Sequence, residues 1–377
     1  MTVNQGEFSK VLSIVHFGAG LNEPEKAYSI SSSYRNILFS KQGFISAIDP
    51  IGSVVRVKFD RVDFDFIVPA TEFAGVLAKL EGELEVALEG ADLTVRSGGR
   101  IKAVFHRGVS NEEEHFGMIS NVFDGIDNME WRDLPENFLS RLGFASSIST
   151  GDWGMLTGGM ICDKELFGMN RKSFYQTEFS NGFGREISFP ETVRRLLKVG
   201  EGFNRYTFRE DKMMFLAGDG VVFGLILPAP DDNEGIFDYV KKGKEIASEN
   251  KEFVEGESFR MPPVNEMRRI LSRAFPLASD SFQSLRKLDI EVISEGLDMT
   301  AQSPMGTYRE RWKDDDISPH LVGKKVSIPF SIEGVLSQVS DDWEFFISFS
   351  TFKQNGVMVL KKEDEKSIFI QMTVAKD

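Results

Sequence analysis

The chain has 377 residues, of which 41% are hydrophobic and 27% charged, the make-up of a globular protein too long for one ordinary domain. Its formal net charge of −14 excludes a uniformly basic surface of the kind that grips phosphate backbones. A lone Cys162 excludes an internal disulfide framework or a cysteine metal cluster.

No run is apolar enough to cross a membrane, and Met1 to Lys10 is polar with no signal-peptide pattern, which points to the cytoplasm. Phe is over-used, with 33 Phe against 6 Tyr and 4 Trp. Cores of small sheets account for that; a surface for stacking bases is the alternative.

From the N-terminus, Gln5 to Phe17 carries Phe8, Val11, Leu12 and Val15 at helical spacing and predicts a helix lying on a sheet. A strand pair follows around Phe44 to Asp49. Phe64 to Leu80 then reads as a strand, Pro69 and an amphipathic helix. Proline suits a helix start because its missing N–H would have no partner there. Leu84 to His106 alternates apolar and polar residues between Gly- and Asp-containing turns, the mark of antiparallel strands.

The same order then recurs. Pro135 to Ser147 predicts a helix on Phe138, Leu139 and Leu142, and the segment around Leu166 to Asn170 a strand pair. Glu186 to Val199 is again strand, Pro190 and helix, followed by alternation over Tyr206 to Leu227. A third copy runs through a helix at Pro263 to Leu277 (Met267, Ile270, Leu271, Ala274) and a strand pair around Leu297 to Ala301. It continues with strand, Pro329 and helix over Lys325 to Val339, and strands over Trp343 to Met372. All six helices carry an acid near their start: Glu7, Glu72, Glu136, Glu191, Glu266 and Glu333. Carboxylates there meet the positive end of the helix dipole.

The expected fold is therefore α+β, with three repeated modules at 1–127, 128–250 and 251–377, each of two helices packed on antiparallel sheets. Lys241 to Glu257 reads as a polar linker.

Positive charge gathers on these helices. Arg194, Arg195 and Lys198 stand beside the stripe of Val193, Leu196 and Leu197; Arg268, Arg269 and Arg273 do so on the helix after Pro263. Lys10, Lys79 and Arg141 are single examples, and the helix after Pro329 has no Lys or Arg. On one helix such charges merely keep a surface soluble. Together, in a chain with 58 acids against 44 bases, they mark one basic side. Acids cluster instead in expected loops at Glu112 to Glu114, Asp231 to Asp232 and Asp314 to Asp316. Basic helices turned inward with acid outside would repel DNA from the exterior and admit it within.

In this order and spacing the chain resembles the β sliding clamp of bacterial replicative DNA polymerases. The best local matches are Ile67 to Phe73, Leu93 to Gly98, Phe237 to Tyr239 and Met299 to Pro304. The resemblance implies a head-to-tail homodimeric ring of two three-module chains, with helices lining a channel for duplex DNA. It also implies a pocket that takes short peptide motifs of the polymerase and the clamp loader, and no cofactor, metal or catalysis. The pocket residues it points to are Leu156, Arg171, Ser173, Phe174, Tyr175, Met372 and Val374.

Here the chain departs from the family. Arg171 to Gln176 shares no residue with the family's Thr-Asp-Gly-His-Arg-Leu segment, and Gln371 to Val374 stands in for its Val-Met-Pro-Met ending. Such divergence suits a virus-encoded clamp serving its own polymerase. A clamp-fold docking adaptor that does not encircle DNA is the alternative reading. An enzyme has little to stand on: His16, His106, His115 and His320 lack metal-ligand spacing, and no nucleophile elbow or nucleotide-binding loop occurs.

Overall fold

The computed structural model describes residues 1–21, 35–49, 52–99, 101–106, 112–149, 158–200, 202–228, 236–278, 286–352, 354–364 and 366–374. The chain opens with β1 (Thr2–Asn4), α1 (Gln5–Gly18), β2 (Asn36–Ser40), β3 (Phe44–Ile48), β4 (Ser53–Lys58) and β5 (Phe66–Pro69). Next come α2 (Ala70–Leu77), β6 (Glu83–Glu89), β7 (Asp92–Ser97), β8 (Ile101–Phe105) and α3 (Glu112–Phe123). The middle holds β9 (Arg132–Asp133), α4 (Phe138–Ile148), β10 (Met160–Cys162), β11 (Glu165–Met169), β12 (Ser173–Glu178) and β13 (Glu186–Ser188). It continues with α5 (Val193–Val199), β14 (Arg205–Arg209), β15 (Met213–Gly218), β16 (Val221–Ile226) and α6 (Ile236–Asn250). The last part has β17 (Ser258–Arg260), α7 (Val264–Ala274), β18 (Lys287–Ile293), β19 (Gly296–Ser303), β20 (Gly306–Lys313) and β21 (Lys325–Pro329). It closes with α8 (Ile332–Leu336), β22 (Glu344–Ser348), β23 (Val357–Lys362) and β24 (Ser367–Met372).

This is the expected α+β fold of antiparallel sheets. It falls into two compact units, Met1–Leu139 with Ser188–Asp232, and Ser140–Ile187 with Asn233–Asp377. The first unit holds an eight-stranded sheet of order β5-β2-β3-β4-β16-β15-β14-β9 and a four-stranded sheet of order β1-β6-β7-β8. The second holds β13-β10-β11-β12-β24-β23-β22-β17 and β20-β19-β18-β21. In each large sheet, strands of two successive expected modules meet at a central ladder. Val54 faces Gly224 across β4 and β16, and Phe174 faces Ile370 across β12 and β24. The units thus cut across the second expected module.

Local sequence explains the helices. Asn4 caps α1, its side-chain oxygen accepting from the N–H of Gly6 at 2.9 Å. Phe8, Leu12 and Val15 face the sheet. Phe8 meets Phe73 edge-on at 6.1 Å, and Phe8, Phe39 and Phe73 are fully buried, so phenylalanine serves the core here rather than a stacking surface. Pro69 and Pro263 occupy the cap positions of α2 and α7. Glu7, Glu72, Glu266 and Glu333 lie in first turns; Glu136 and Glu191 fall just before α4 and α5.

Two expectations are corrected. Glu112 to Glu114 opens helix α3 instead of forming an acidic loop, and Ile119 and Phe123 of that helix pack on the first large sheet. Lys241 to Glu257 is largely helix α6 rather than a linker, and Val240 and Ala247 join the core of the second large sheet. Asp231 and Asp232 lie outside the described residues. On the second four-stranded sheet Arg309 of β20 donates to both carboxylate oxygens of Asp298 on β19, its Nε lying 2.8 Å from Oδ1. That guanidinium holds the Asp298 carboxyl below the usual carboxylate range. No helix among the described residues is long and apolar enough to cross a membrane.

Candidate nucleic-acid face and partner pocket

Of the nine basic residues expected to face DNA, Lys10, Lys79 and Lys198 are exposed and form no ion pair among the described residues. Arg194 reaches back to Glu191 just before α5, 3.6 Å away, and Arg269 to Glu266 in the first turn of α7, 3.1 Å away. Arg273 is held between Glu266 and Glu310, which raises its own pKa through hydrogen bonds to the two carboxylates. Exposed pairs of this sort are weak and screened by salt, so these arginines can still exchange partners.

The other three have their guanidinium groups engaged by the chain itself, Arg195 buried and Arg141 and Arg268 half-buried. Arg268 donates from Nε to the carbonyl of Leu336 at 2.6 Å and from Nη2 to Val339, satisfying carbonyls at the end of α8. Arg141 donates to the Thr177 hydroxyl at 3.2 Å and the Glu178 carbonyl at 2.8 Å.

Arg195 is buried, 8% exposed. Its Nη1 lies 2.6 Å from Asp49 Oδ2 and 2.9 Å from Ser53 Oγ. Ser53 in turn donates to the Gly18 carbonyl at 2.7 Å. Gly20 and Gly52 flank the guanidinium, and a Cβ on either would overlap it. This network ties α5 to α1 and the β3–β4 hairpin. A charge so enclosed has no route to phosphate.

The pocket expectation fares differently. In the second unit a cavity of about 520 Å³ lies between α6, the β11–β12 hairpin and the end of β24. Its apolar lining comes from Met169, Phe174, Val357 and Ile370, which belong to the core beneath α6. Ile246 and Phe352 pack against them, while Tyr239 and Met372, 49% and 44% exposed, form the lip. Gly243 lets α6 approach closely, since a Cβ there would overlap the Phe174 ring.

The hairpin is shaped by Asn170. Its side-chain oxygen accepts from the N–H groups of Lys172 and Ser173 at 2.8 and 2.9 Å, and its amide donates to Ile148 O at 2.9 Å. With its backbone held this way, the loop presents Arg171 and Lys172 to solvent.

Of the expected pocket residues, Arg171, Ser173, Phe174 and Met372 line this cavity. Tyr175 does not. Alternation along β12 sends it to the opposite face, where it meets Phe144 edge-on at 4.5 Å. Val374 is also elsewhere, its N–H donating to the Ser327 carbonyl at 2.8 Å. Leu156 lies outside the described residues.

Sequence reasoning missed every contribution of α6. The signal was present: Tyr239, Val240, Gly243, Ile246 and Ala247 recur at three- and four-residue steps within a polar stretch.

Burial pushes the Cys162 thiol up to about 11, with Glu186 nearby adding to the effect, so it is protonated at neutral pH. No group of three or more metal-ligating side chains occurs among the described residues.

No family model and no curated protein matches this sequence. Solved structures do match its fold. The DNA polymerase sliding clamp of Bacillus subtilis superposes with a TM-score of 0.74 at 14% identity, covering 100% of this chain and 99% of that one. The beta subunit of the DNA polymerase of Streptococcus pyogenes gives 0.71 at 13% identity, covering 100% and 99%. The sliding clamp of Pseudomonas aeruginosa bound to griselimycin gives 0.70 at 14%, again covering 100% and 99%. From end to end, the chain has the fold of a DNA polymerase sliding clamp.

Proposed function

We propose that the chain is a non-catalytic processivity factor of three modules. Two copies joined head to tail encircle duplex DNA, and the pocket beside α6 tethers a polymerase and a clamp loader. The likeness to sliding clamps over the full length of both chains carries this reading.

Physical features support it. Lys10, Lys79 and Lys198 offer cations with no acid partner among the described residues, in a chain of net charge −14. That suits bonds to phosphate that read no sequence and so allow sliding. Strands β8 and β20 each lie at an open end of a four-stranded sheet, and Ile101 and Val104 on β8 are 48% and 40% exposed. Open edges of this kind offer unpaired backbone groups with which another chain can pair. A clamp then works by geometry alone: it keeps the polymerase near its template and so raises its effective concentration.

Topology provides the test. The chain loaded on closed circular DNA stays bound through a salt wash and is released when the circle is cut; equal release from both forms would mean a docking adaptor that does not encircle DNA. Light scattering should give twice the chain mass. Replacing Lys10, Lys79 and Lys198 together by Gln should lower the salt slope of DNA binding by about one for each lysine that neutralises a phosphate.

A further inference from the structure

Charge around the α6 cavity runs against the composition of the chain. Arg171, Lys172 and Lys242 stand at its rim, and no Asp or Glu among the described residues lines it, although acids outnumber bases 58 to 44 overall. All three cations are exposed and none forms an ion pair among the described residues. Several other lysines of the unit are paired, Lys244 with Glu165, Lys366 with Glu178 at 2.9 Å and Lys362 with Asp342 at 3.0 Å, while Lys241 beside Lys242 on α6 forms no ion pair among the described residues and adds to the positive charge. The rim is thus a patch of uncompensated positive charge around an apolar floor.

We propose that the occupant is an acidic short linear peptide. Aliphatic or aromatic anchors sit on the floor formed by Phe174 and Ile370, and flanking Asp or Glu residues meet Arg171, Lys172 and Lys242. This rests on the reading of the cavity as the partner site and adds the chemistry of the partner. The volume, about 520 Å³, suits a few side chains of an extended segment rather than a folded surface. Single-stranded nucleic acid is the poorer fit. Stacking needs exposed aromatic planes, and Tyr239 is the only exposed aromatic among the described lining residues, Phe174 being buried.

The test is selection of binders from a random peptide display library on the full chain, with counter-selection against Met372→Asp. Sequences that no longer bind Met372→Asp should carry Asp or Glu beside apolar anchors. Replacing those acids by Asn or Gln should weaken binding about tenfold at low salt, the sum of a few exposed charge pairs, and less as salt rises. In the triple variant Arg171→Gln, Lys172→Gln and Lys242→Gln, the acidic and neutral peptides should bind alike. Met372-dependent peptides without acidic bias would overturn the proposal and leave the cavity as a partner site. Absence of any Met372-dependent peptide would overturn the partner-site reading as well. Displacement of a selected peptide by an oligothymidylate at equal concentration would assign the rim to nucleic acid and overturn the peptide proposal.

Discussion

The β3–β4 hairpin of the first unit and the β11–β12 hairpin of the second occupy the same place in sheets of the same order, yet they do opposite things. Both close alike, Asp49 N–H to Ser53 O at 2.8 Å and Asn170 N–H to Ser173 O at 2.9 Å. Asp49 is a carboxylate, and it draws in Arg195 from α5 to make a buried lock. Asn170 is neutral; it turns back on its own loop and leaves Arg171 and Lys172 pointing to solvent beside a cavity. Behind the second hairpin the packing is aromatic, with Phe144 among Tyr175, Phe369 and Trp343 at 4.5 to 5.9 Å. One scaffold thus yields an internal clasp in one unit and an open cavity in the other. A single side-chain charge at the hairpin end marks the difference.

The largest effect expected is from Arg195→Ala. It strands Asp49 without its cation in a buried site and should cost about 3–5 kcal/mol in chemical denaturation. Adding Asp49→Leu to Arg195→Met should recover most of that loss, because an apolar pair needs no desolvation; a double variant as unstable as the single one would mean the network is not an isolated pair. Phe144→Ala, on the aromatic side of the comparison, should cost about 3–5 kcal/mol by leaving a cavity. If it cost under about 1 kcal/mol, the aromatic group would be able to collapse and would not be the counterpart of the buried lock.

Asn170→Ala removes the acceptor for two loop N–H groups that water can reach, so about 1 kcal/mol or less is expected. Peptide affinity should fall more clearly than stability does, as the rim loses its shape. Away from both hairpins, Asp298→Asn should show the smallest change, and only above acid pH. The native Asp298 carboxyl is depressed by Arg309, so its contribution is present above the ordinary Asp value of about 3.9 and disappears as pH falls through the lower native value. The melting temperatures of wild type and variant should converge in that acid range.

What the sequence revealed and what it hid divide along physical lines. The strand, proline and helix order at Pro69, Pro190 and Pro329 was legible because local sterics and period-two alternation set it within a few residues. Helices α3 and α6 were hidden by their charge: Glu112 to Glu114 and Lys241 to Lys244 look solvated, and only the spacing of Ile119 with Phe123, or Val240 with Ala247, gives the buried face away. Arg195 could not be placed from its neighbours, since Arg194 beside it is solvent-facing and its partner Asp49 lies 146 positions away in the chain. Tyr175 is a different case, because its side was legible: if Phe174 faces the cavity, strand alternation turns Tyr175 to the other side.

The central ladders of the two large sheets have a consequence for the integrity of the chain. The backbone between α3 and β9 links strands that are already joined side by side, five registered pairs holding β4 to β16. A protease cut in that short segment would sever the covalent path without opening the sheet. The two pieces should travel together on a sizing column and separate only in denaturant, and a piece made alone would expose the bare edge of β4 and seek a replacement strand from another copy.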